Sequence, residues 1–141
     1  MGRVLSLFDK SGAWAEPYRE RGDLVRCLDL TRGENVILEK YSESPVDVIL
    51  AAPPCTHLAS SGSRWWAEKG ESALLESLAT VDAVFRLVFA LRPAVWVIEN
   101  PIGRLKRFLG PPPVFIQSLR VCRMGRRSRE RSLHEEDPSL G

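Results

Sequence analysis

The chain has 141 residues, of which 44% are hydrophobic and 27% are charged, with 20 Lys and Arg against 18 Asp and Glu. This balance supports one folded domain with an apolar core, and it excludes a disordered chain, a collagen-like chain and a disulfide-rich miniprotein. No uninterrupted apolar stretch reaches the roughly 18 residues of a transmembrane helix, so we expect no membrane span. Residues 1–10 are typical of a first strand rather than of a signal peptide.

The net charge of +2 is unevenly distributed along the chain. Residues 1–116 contain 14 basic and 14 acidic side chains, whereas residues 117–141 contain six arginines, no lysine and four acids. A basic tail is typical of a nucleic-acid-binding arm, and it is equally typical of a segment that belongs to no fold. We therefore divide the chain into a folded domain at 1–116 and an Arg-rich tail at 117–141, which we expect to be irregular.

The cysteines give information about compartment and metal content. Cys27, Cys55 and Cys122 are odd in number and widely spaced, and no pair has the close spacing of zinc ligands. We expect reduced thiols, a cytoplasmic location and no metal site.

Apolar runs and helical periodicity alternate along the chain. We predict strands at 3–8, 24–28, 46–51 and 94–98, a short strand at 36–38, and helices at 14–21, 71–91 and 102–110. The long helix carries an apolar stripe at spacings of three and four: Leu74, Leu78, Val81, Phe85 and Val88. The run AVWVI at 94–98 is typical of a central parallel strand. The alternation predicts an α/β fold with a parallel sheet and right-handed crossovers.

Chemically notable residues follow four of the predicted strands. They are the turn at 8–12, Asp29, the Pro-Pro-Cys sequence at 53–55 and the Glu-Asn-Pro sequence at 99–101. Because ligands bind at the carboxyl ends of parallel strands, these residues predict one crevice.

Cys55 and Glu99 are the candidates for covalent and acid–base chemistry. A cysteine in a turn at a strand end faces the crevice, where its thiolate is a nucleophile; the alternative is a buried structural thiol. Glu99 follows four apolar residues, so we expect a partly desolvated carboxylate that can donate a proton; the alternative is a capping or ion-paired side chain. His57 is interpreted as structural or as a substrate contact.

The first turn and the second strand end suggest a nucleotide-like ligand. Gly12 permits close approach of the backbone to a ligand, although the turn at 8–12 is not a GxGxxG sequence. Asp29 stands at the end of the second strand, where an acid that binds ribose belongs. Further along, Trp65 and Trp66 are able to stack on a base or to cover the core. Four basic side chains are able to meet phosphates or to remain solvated: Arg64, Arg104, Lys106 and Arg107.

Three segments resemble the cytosine-5 DNA methyltransferases, and most closely their short bacteriophage and prophage members. The sequence APPCT at 52–56 is similar to the nucleophile motif, and IENP at 98–101 is similar to the Glu-Asn motif. The sequence at 5–22 resembles a divergent first motif, which binds S-adenosylmethionine. The resemblance covers roughly residues 3–115 and implies a Rossmann-like methyltransferase fold that is incomplete at its C-terminus.

The resemblance implies roles for individual residues. Cys55 would attack C6 of a cytosine flipped out of DNA, Glu99 would hold or protonate N3, and Asn100 would position the loop. Pro54 belongs to the same catalytic turn. The residues implied to bind S-adenosylmethionine are Phe8, Asp9, Gly12, Trp14, Pro53 and Asp29, the last through the ribose hydroxyls. Asn35 stands near the position of the family's adenine-binding acid.

The chain departs from the family in its first motif, which lacks the usual glycines, and after residue 116, where the Arg-containing motif, the target-recognition region and the last strands are not recognisable. We interpret residues 117–141 as the product of a shifted reading frame. Read from the second base of each codon, permitted codons spell Asn-Pro-Tyr-Glu-Tyr and later Leu-Trp-Gly, as in the phage relatives. Coding DNA with codons incompatible with that reading would refute this hypothesis.

Two other functions stay open at this point. An amino-methyltransferase of DNA bases uses a related sheet and an Asn/Asp-Pro-Pro-aromatic turn, but residues 52–55 lack the polar first and aromatic last positions. A non-enzymatic DNA-binding remnant would use the Arg-rich tail.

Overall fold

A computed structural model describes residues 1–37 and 45–112. Strands and helices alternate in this part of the chain, which confirms the predicted α/β class. In chain order the elements are β1 (Arg3–Leu7), α1 (Glu16–Glu20), β2 (Leu24–Leu28), β3 (Val48–Ala51), α2 (Trp66–Leu91), β4 (Val95–Ile98) and α3 (Lys106–Leu109). Short 3-10 turns lie at Leu30–Arg32 and Ser60–Trp65.

The four strands form one parallel sheet in the order β2-β1-β3-β4. Leu5 of β1 pairs with Arg26 of β2 on one side and with Ile49 of β3 on the other. The chain thus passes from β1 to β2, then returns past β1 to β3. This reversal of direction is a topological switch point, and it opens a crevice beyond the carboxyl ends of β1 and β3. The arrangement is compatible with a Rossmann-like fold.

Each face of the sheet carries its own apolar cluster, because successive strand residues point to opposite faces. The cluster on one face joins strand residues to the inner side of α2 and includes Leu5, Leu7, Leu28, Ile49, Val84 and Leu87. The cluster on the other face joins strand residues to the segment that leads into α1 and includes Val4, Ala15, Cys27 and Leu50. The helices α1 and α2 therefore cover opposite faces, and the fold has three layers.

Several predicted boundaries shift when the structure is compared with the sequence. The strand β2 has the predicted bounds, whereas β1 ends one residue early because Phe8 adopts a φ of 61°, outside the range of a strand. The strands β3 and β4 begin slightly later than predicted. The predicted strand at 36–38 is wrong for Val36 and Ile37, which lie in a turn, and its third residue lies outside the described ranges.

The helix α2 is interrupted near its start. Gly70 has φ 73° and ψ −174°, so the uninterrupted helix begins at Glu71, the predicted first residue. The buried side of the helix is wider than the predicted stripe. Val81 and Val88 are buried as predicted, and the helix also buries small and polar residues against the sheet. The other three stripe residues pack against a separate cluster around Leu58: Leu74, Leu78 and Phe85.

The prediction that the AVWVI run is a central strand is wrong for the described residues. In them β4 is the edge of the sheet, and its residues Val95, Trp96 and Val97 are 52%, 45% and 42% exposed. Val95 and Val97 lie on the face that α1 covers farther along the sheet. Trp96 lies on the opposite face, where its ring meets Phe85 of α2 edge-on at 5.6 Å. The apolar composition of β4 therefore does not correspond to burial within this part of the chain.

None of the helices in the described ranges combines the length and the apolar content needed to cross a bilayer. The Arg-rich tail at 117–141, the proposed shift of reading frame and Cys122 lie outside these ranges, so the predicted domain boundary after residue 116 stays a prediction.

Candidate functional site

A cavity of about 420 Å³ lies at the switch point between β1 and β3. Its walls come from the turn after β1 and from the first residue after β3: Phe8, Asp9, Lys10, Ser11, Trp14 and Ala52. The Ala52 N–H donates to the Leu7 carbonyl at 3.1 Å, so β1 and β3 stay paired up to the floor of the cavity. Three of the predicted cofactor residues, Phe8, Asp9 and Trp14, are therefore brought together.

The turn after β1 is built around Phe8 and Asp9. Phe8 occupies the left-handed region, which is rare for a residue with a bulky side chain and reverses the chain at the end of the strand. The buried Asp9 carboxylate accepts hydrogen bonds from the hydroxyl of Ser6 at 2.9 Å, the N–H of Gly12 at 2.8 Å and the hydroxyl of Ser11 at 3.4 Å. Both oxygens of Asp9 therefore serve the turn itself, and this side chain shapes the cavity rather than opening toward a ligand.

Arg19 of α1 connects the turn to the second strand. Its guanidinium donates to the Gly12 carbonyl at 2.9 Å, to Glu16 at 2.9 Å and to the Cys27 sulfur at 2.9 Å. The hydrogen bond to Glu16 raises the pKa of Arg19, partial burial opposes that shift, and Cys27 adds to it. Gly12 is buried with a φ of 74°, and it lies behind the cavity wall rather than on it.

Asp29 follows β2, as predicted, but it does not line the cavity. Its Oδ1 accepts from the N–H of Thr31 at 2.8 Å, which caps the 3-10 turn at Leu30–Arg32. The Phe8 N–H donates to the Leu28 carbonyl at 2.8 Å, so Asp29 directly follows the last residue of β2 that pairs with the first turn. Asn35 is likewise engaged locally, since its Oδ1 accepts from the Ile37 N–H at 2.9 Å.

The Pro-Pro-Cys turn begins directly after β3. Pro53 is buried, Pro54 is exposed and Cys55 is half-buried. The Cys55 carbonyl accepts from the N–H groups of Leu58 and Ala59, both at 2.9 Å, which coils the chain immediately after the cysteine. Cys55 is a free thiol whose side chain keeps part of its surface accessible.

The Glu-Asn segment continues the pairing of β4 with β3 beyond the strands. The backbone N–H of Glu99 donates to the Ala51 carbonyl at 2.8 Å. In a parallel ladder the next donor would be the N–H of residue 101, but that residue is proline and has none. The side-chain amide of Asn100 donates to the Pro53 carbonyl at 3.3 Å instead. Asn100 therefore ties the Glu-Asn segment to the turn that carries Cys55.

The predicted partial desolvation of Glu99 is wrong in this structure. Glu99 is exposed, because β4 is the edge strand of the described sheet and covers only one side of the segment. The buried Oδ1 of Asn100 and the buried Nδ1 of His57 have no hydrogen-bond partner within the described residues. Two buried polar atoms near the cysteine turn are therefore unpaired within the described residues.

Sequence reasoning missed several residues of the site. Ser6 and Arg19 hold the first turn through side-chain hydrogen bonds across its base. Lys10 and Ser11, which belong to the predicted turn at 8–12 but had no individual role assigned, line the cavity. A hydroxyl within an apolar strand was the available signal for Ser6. The spacing of Glu16 and Arg19 is a local pattern, but no pattern predicts the bonds of Arg19 to Gly12 and Cys27, because these depend on how α1 packs beside β2.

The described ranges contain no group of three or more His, Cys, Asp and Glu side chains that could hold a metal ion. The site therefore offers a cavity with aromatic and polar walls, a neighbouring thiol and an exposed carboxylate. No protein-family model matches the chain, and no curated protein matches it at a significant level of similarity.

Proposed function

We propose that this chain is a cytosine-5 DNA methyltransferase-like protein, which transfers a methyl group from S-adenosylmethionine to C5 of a cytosine in DNA. The observation that carries the proposal is the Asn100–Pro53 hydrogen bond of 3.3 Å, which joins the Cys55 turn to the Glu99 segment. The resemblance of the two motifs to this family supports the same assignment. The resemblance covers only part of the family's pattern. It therefore also implies that methyl transfer requires the family's target-recognition region and last strands, which are not recognisable in this chain.

The cavity between β1 and β3 suits a nucleoside cofactor. Its volume of about 420 Å³ lies within the range of small-molecule pockets. The rings of Phe8 and Trp14 provide flat walls for an adenine, and aromatic faces also attract a cationic sulfur. Lys10 and Ser11 provide polar groups for a carboxylate. S-adenosylmethionine, when bound, supplies an electrophilic methyl group.

The residues of the site divide the remaining chemistry between them. The Cys55 thiolate attacks C6 of an extruded cytosine, forming a sulfur–carbon bond and moving electron density toward N3. Glu99 holds or protonates N3, which leaves an enamine that is nucleophilic at C5. C5 would take the methyl group as the bond from that group to the sulfonium sulfur breaks, and S-adenosylhomocysteine would leave. Loss of the C5 proton to a base then restores the ring double bond and expels the thiolate, and a proton held on N3 returns to Glu99.

The test uses the full chain, duplex DNA and S-adenosylmethionine labelled in its methyl group. We expect label in 5-methylcytosine with the wild type and none with Cys55→Ser. Cys27→Ser is the matched control, because the serine oxygen can still accept the hydrogen bond of Arg19. A second readout uses DNA with 5-fluorocytosine, in which fluorine replaces the C5 proton that the base must remove, so the thiolate cannot be expelled and the adduct with Cys55 persists in denaturing electrophoresis.

Three results would contradict the proposal. Label on an exocyclic nitrogen would indicate an amino-methyltransferase. Cofactor binding without transfer and without the fluorocytosine adduct would indicate an inactive remnant. DNA binding that survives substitution of Cys55 and Glu99 but is lost with residues 117–141, in a chain that transfers no methyl group, would indicate a binding protein that uses its tail.

A further inference from the structure

A surface of basic and aromatic side chains lies beside the cysteine turn, and the proposed catalytic steps do not use it. We call it the basic–aromatic surface and define it by Arg64, Trp65, Trp66, Arg104, Lys106 and Arg107. The first three residues end the 3-10 turn and begin α2, and the other three lie in and before α3. Two segments that are about 40 residues apart in sequence thus contribute to one surface.

Backbone hydrogen bonds fix the two segments against each other. The N–H of Ser60 donates to the Ile102 carbonyl at 2.8 Å, and the N–H of Arg104 donates to the Leu58 carbonyl at 2.7 Å. Between these bonds Ala59 and Gly103 form an antiparallel bridge. The surface is therefore built on paired backbone rather than on independent loops.

An arginine guanidinium lies over the ring of each tryptophan of the surface. The guanidinium carbon of Arg104 lies 4.0 Å from the ring centroid of Trp66, and that of Arg64 lies 5.1 Å from the centroid of Trp65. Cation–π contacts of this kind hold a guanidinium flat on a ring and leave its edge donors free to bind an anion. Trp65 is 46% exposed, so one large aromatic side chain remains accessible.

The charge of the surface is unbalanced. Residues 102–112 contain three basic side chains and no acidic one. Within the part of the chain that the structure describes, none of Arg64, Arg104, Lys106 and Arg107 forms an ion pair. Positive charge without internal counterions next to an accessible indole is typical of surfaces that bind nucleic acid through phosphates and base stacking.

We propose that the basic–aromatic surface binds unpaired nucleic acid, with phosphates on its arginine and lysine side chains and a base stacked on Trp65. An unpaired strand fits better than a duplex, because only an unstacked base offers its flat face to an indole. The surface begins nine residues after Cys55, at Arg64, and its second segment begins five residues after Glu99, at Arg104. This inference deepens the proposed function, because it names the kind of strand that is held beside Cys55. In that respect the inference rests on the proposed function.

The test measures binding of the full chain to a fluorescent oligonucleotide of about 20 nucleotides, single-stranded and as a blunt duplex, by fluorescence anisotropy. We expect tighter binding to the single strand, and a loss of roughly ten-fold in Trp65→Ala and in Arg104→Gln. Trp65→Phe keeps a stacking ring and should retain most of the affinity. The salt dependence should decrease by about 0.7 in logarithmic slope for each phosphate contact removed.

Matched controls remove the same kinds of group elsewhere. Phe89→Ala removes an exposed ring from the other end of α2. Arg3→Gln removes an exposed charge from the first residue of β1. Both should bind as the wild type does. Circular dichroism of every variant verifies that the fold is retained, and Arg107→Gln provides a second exposed position where loss of binding does not depend on the packing of Trp66.

The outcomes separate this proposal from the proposed function. Unchanged binding in Cys55→Ser, with loss in Trp65→Ala, supports the surface whether or not methyl transfer is found. Equal binding of wild type, Trp65→Ala and Arg104→Gln overturns it and assigns binding to the Arg-rich tail. Equal affinity for single strand and duplex overturns the preference for unpaired bases. Binding to vesicles of anionic phospholipid that is lost in the same variants, without oligonucleotide binding, overturns the nucleic-acid assignment.

Discussion

Asn100 and Pro53, 47 residues apart, are joined by a hydrogen bond from the side-chain amide of the asparagine to the proline carbonyl at 3.3 Å. The bond occupies the place where a parallel ladder would use the N–H of residue 101, a proline that has none. A side chain thus replaces a missing backbone donor at the end of β3 and β4. Because Cys55 follows two residues later, the replacement also fixes the distance between the cysteine turn and the Glu-Asn segment.

We expect Asn100→Asp to weaken this connection. A carboxylate cannot donate to the Pro53 carbonyl, and its charge is placed next to that oxygen, so the free energy of unfolding should fall by about 1–2 kcal/mol. The change is measured from the midpoint of urea denaturation. Asn35→Asp is the matched control, because its Oδ1 can still accept from the Ile37 N–H. An equal loss of stability in both variants would contradict the assigned role.

Asp9→Ala should destabilise the turn after β1 and weaken the binding of S-adenosylmethionine in the cavity. The substitution leaves the fully buried hydroxyl of Ser6 without its acceptor, at about 1–3 kcal/mol, and leaves the N–H of Gly12 with only its longer bond to the backbone carbonyl of residue 9 at 3.3 Å. Urea denaturation gives the stability, and calorimetric titration with S-adenosylmethionine gives the binding. Asp82→Ala, on the exposed side of α2, removes a carboxylate without these partners and should change neither. Wild-type stability of Asp9→Ala would refute the prediction.

Gly103→Ala should disrupt the bridge that supports the basic–aromatic surface. A Cβ at this position would lie 1.8 Å from the Leu58 carbonyl oxygen and 2.9 Å from the Ala59 Cα, so the two backbones must separate. We expect a loss of about 3 kcal/mol, from strain and from broken hydrogen bonds. Thermal denaturation followed by circular dichroism measures it.

Gly62→Ala is the control for this prediction. A Cβ at Gly62 would meet only the Thr56 carbonyl oxygen, at an ordinary 3.5 Å. Its stability should stay within about 0.5 kcal/mol of the wild type. If Gly103→Ala lost no more stability than Gly62→Ala, the prediction that the two segments approach closely at Gly103 would be contradicted.

Asp23 should make stability depend on pH in the acid range. The N–H of Gly2 donates to this carboxylate and lowers its pKa below the ordinary 3.8, and a hydrogen bond from Arg21 adds to the shift. The folded state therefore binds the proton less well than the unfolded state. The resulting stabilisation is present above pH 3.8 and is lost as the pH falls through the lower folded-state pKa.

Urea denaturation at a series of pH values from about 5 to about 2 tests this dependence. Asp23→Asn should be less stable than the wild type at the upper end of this range, and the difference should disappear at the lower end. Asp82→Asn should follow the wild-type profile at every pH, since its side chain is exposed on α2. A constant difference between Asp23→Asn and wild type across the range would contradict the assignment.

The strands, the helices and the residues that follow them could be predicted from local patterns in the sequence. Period-two and period-3.6 patterns are local, so they identified β2 at its observed bounds and the uninterrupted part of α2. The same patterns placed Glu99 directly after a strand and Cys55 in the turn that follows a strand. The apolar pattern included Phe8 in the first strand, but β1 ends one residue earlier. The positive φ of Phe8 cannot be predicted from apolar periodicity.

How the strand ends meet depends on the order of the strands and on the packing of the helices. The strand order set β3 beside β1 and β4 at the edge, which formed the cavity and left Glu99 exposed. It also brought Arg104 onto Trp66 and the Asn100 amide onto Pro53. Contacts across about 40 residues depend on which strands pair and which faces the helices cover, and no local pattern of polar and apolar residues encodes that choice.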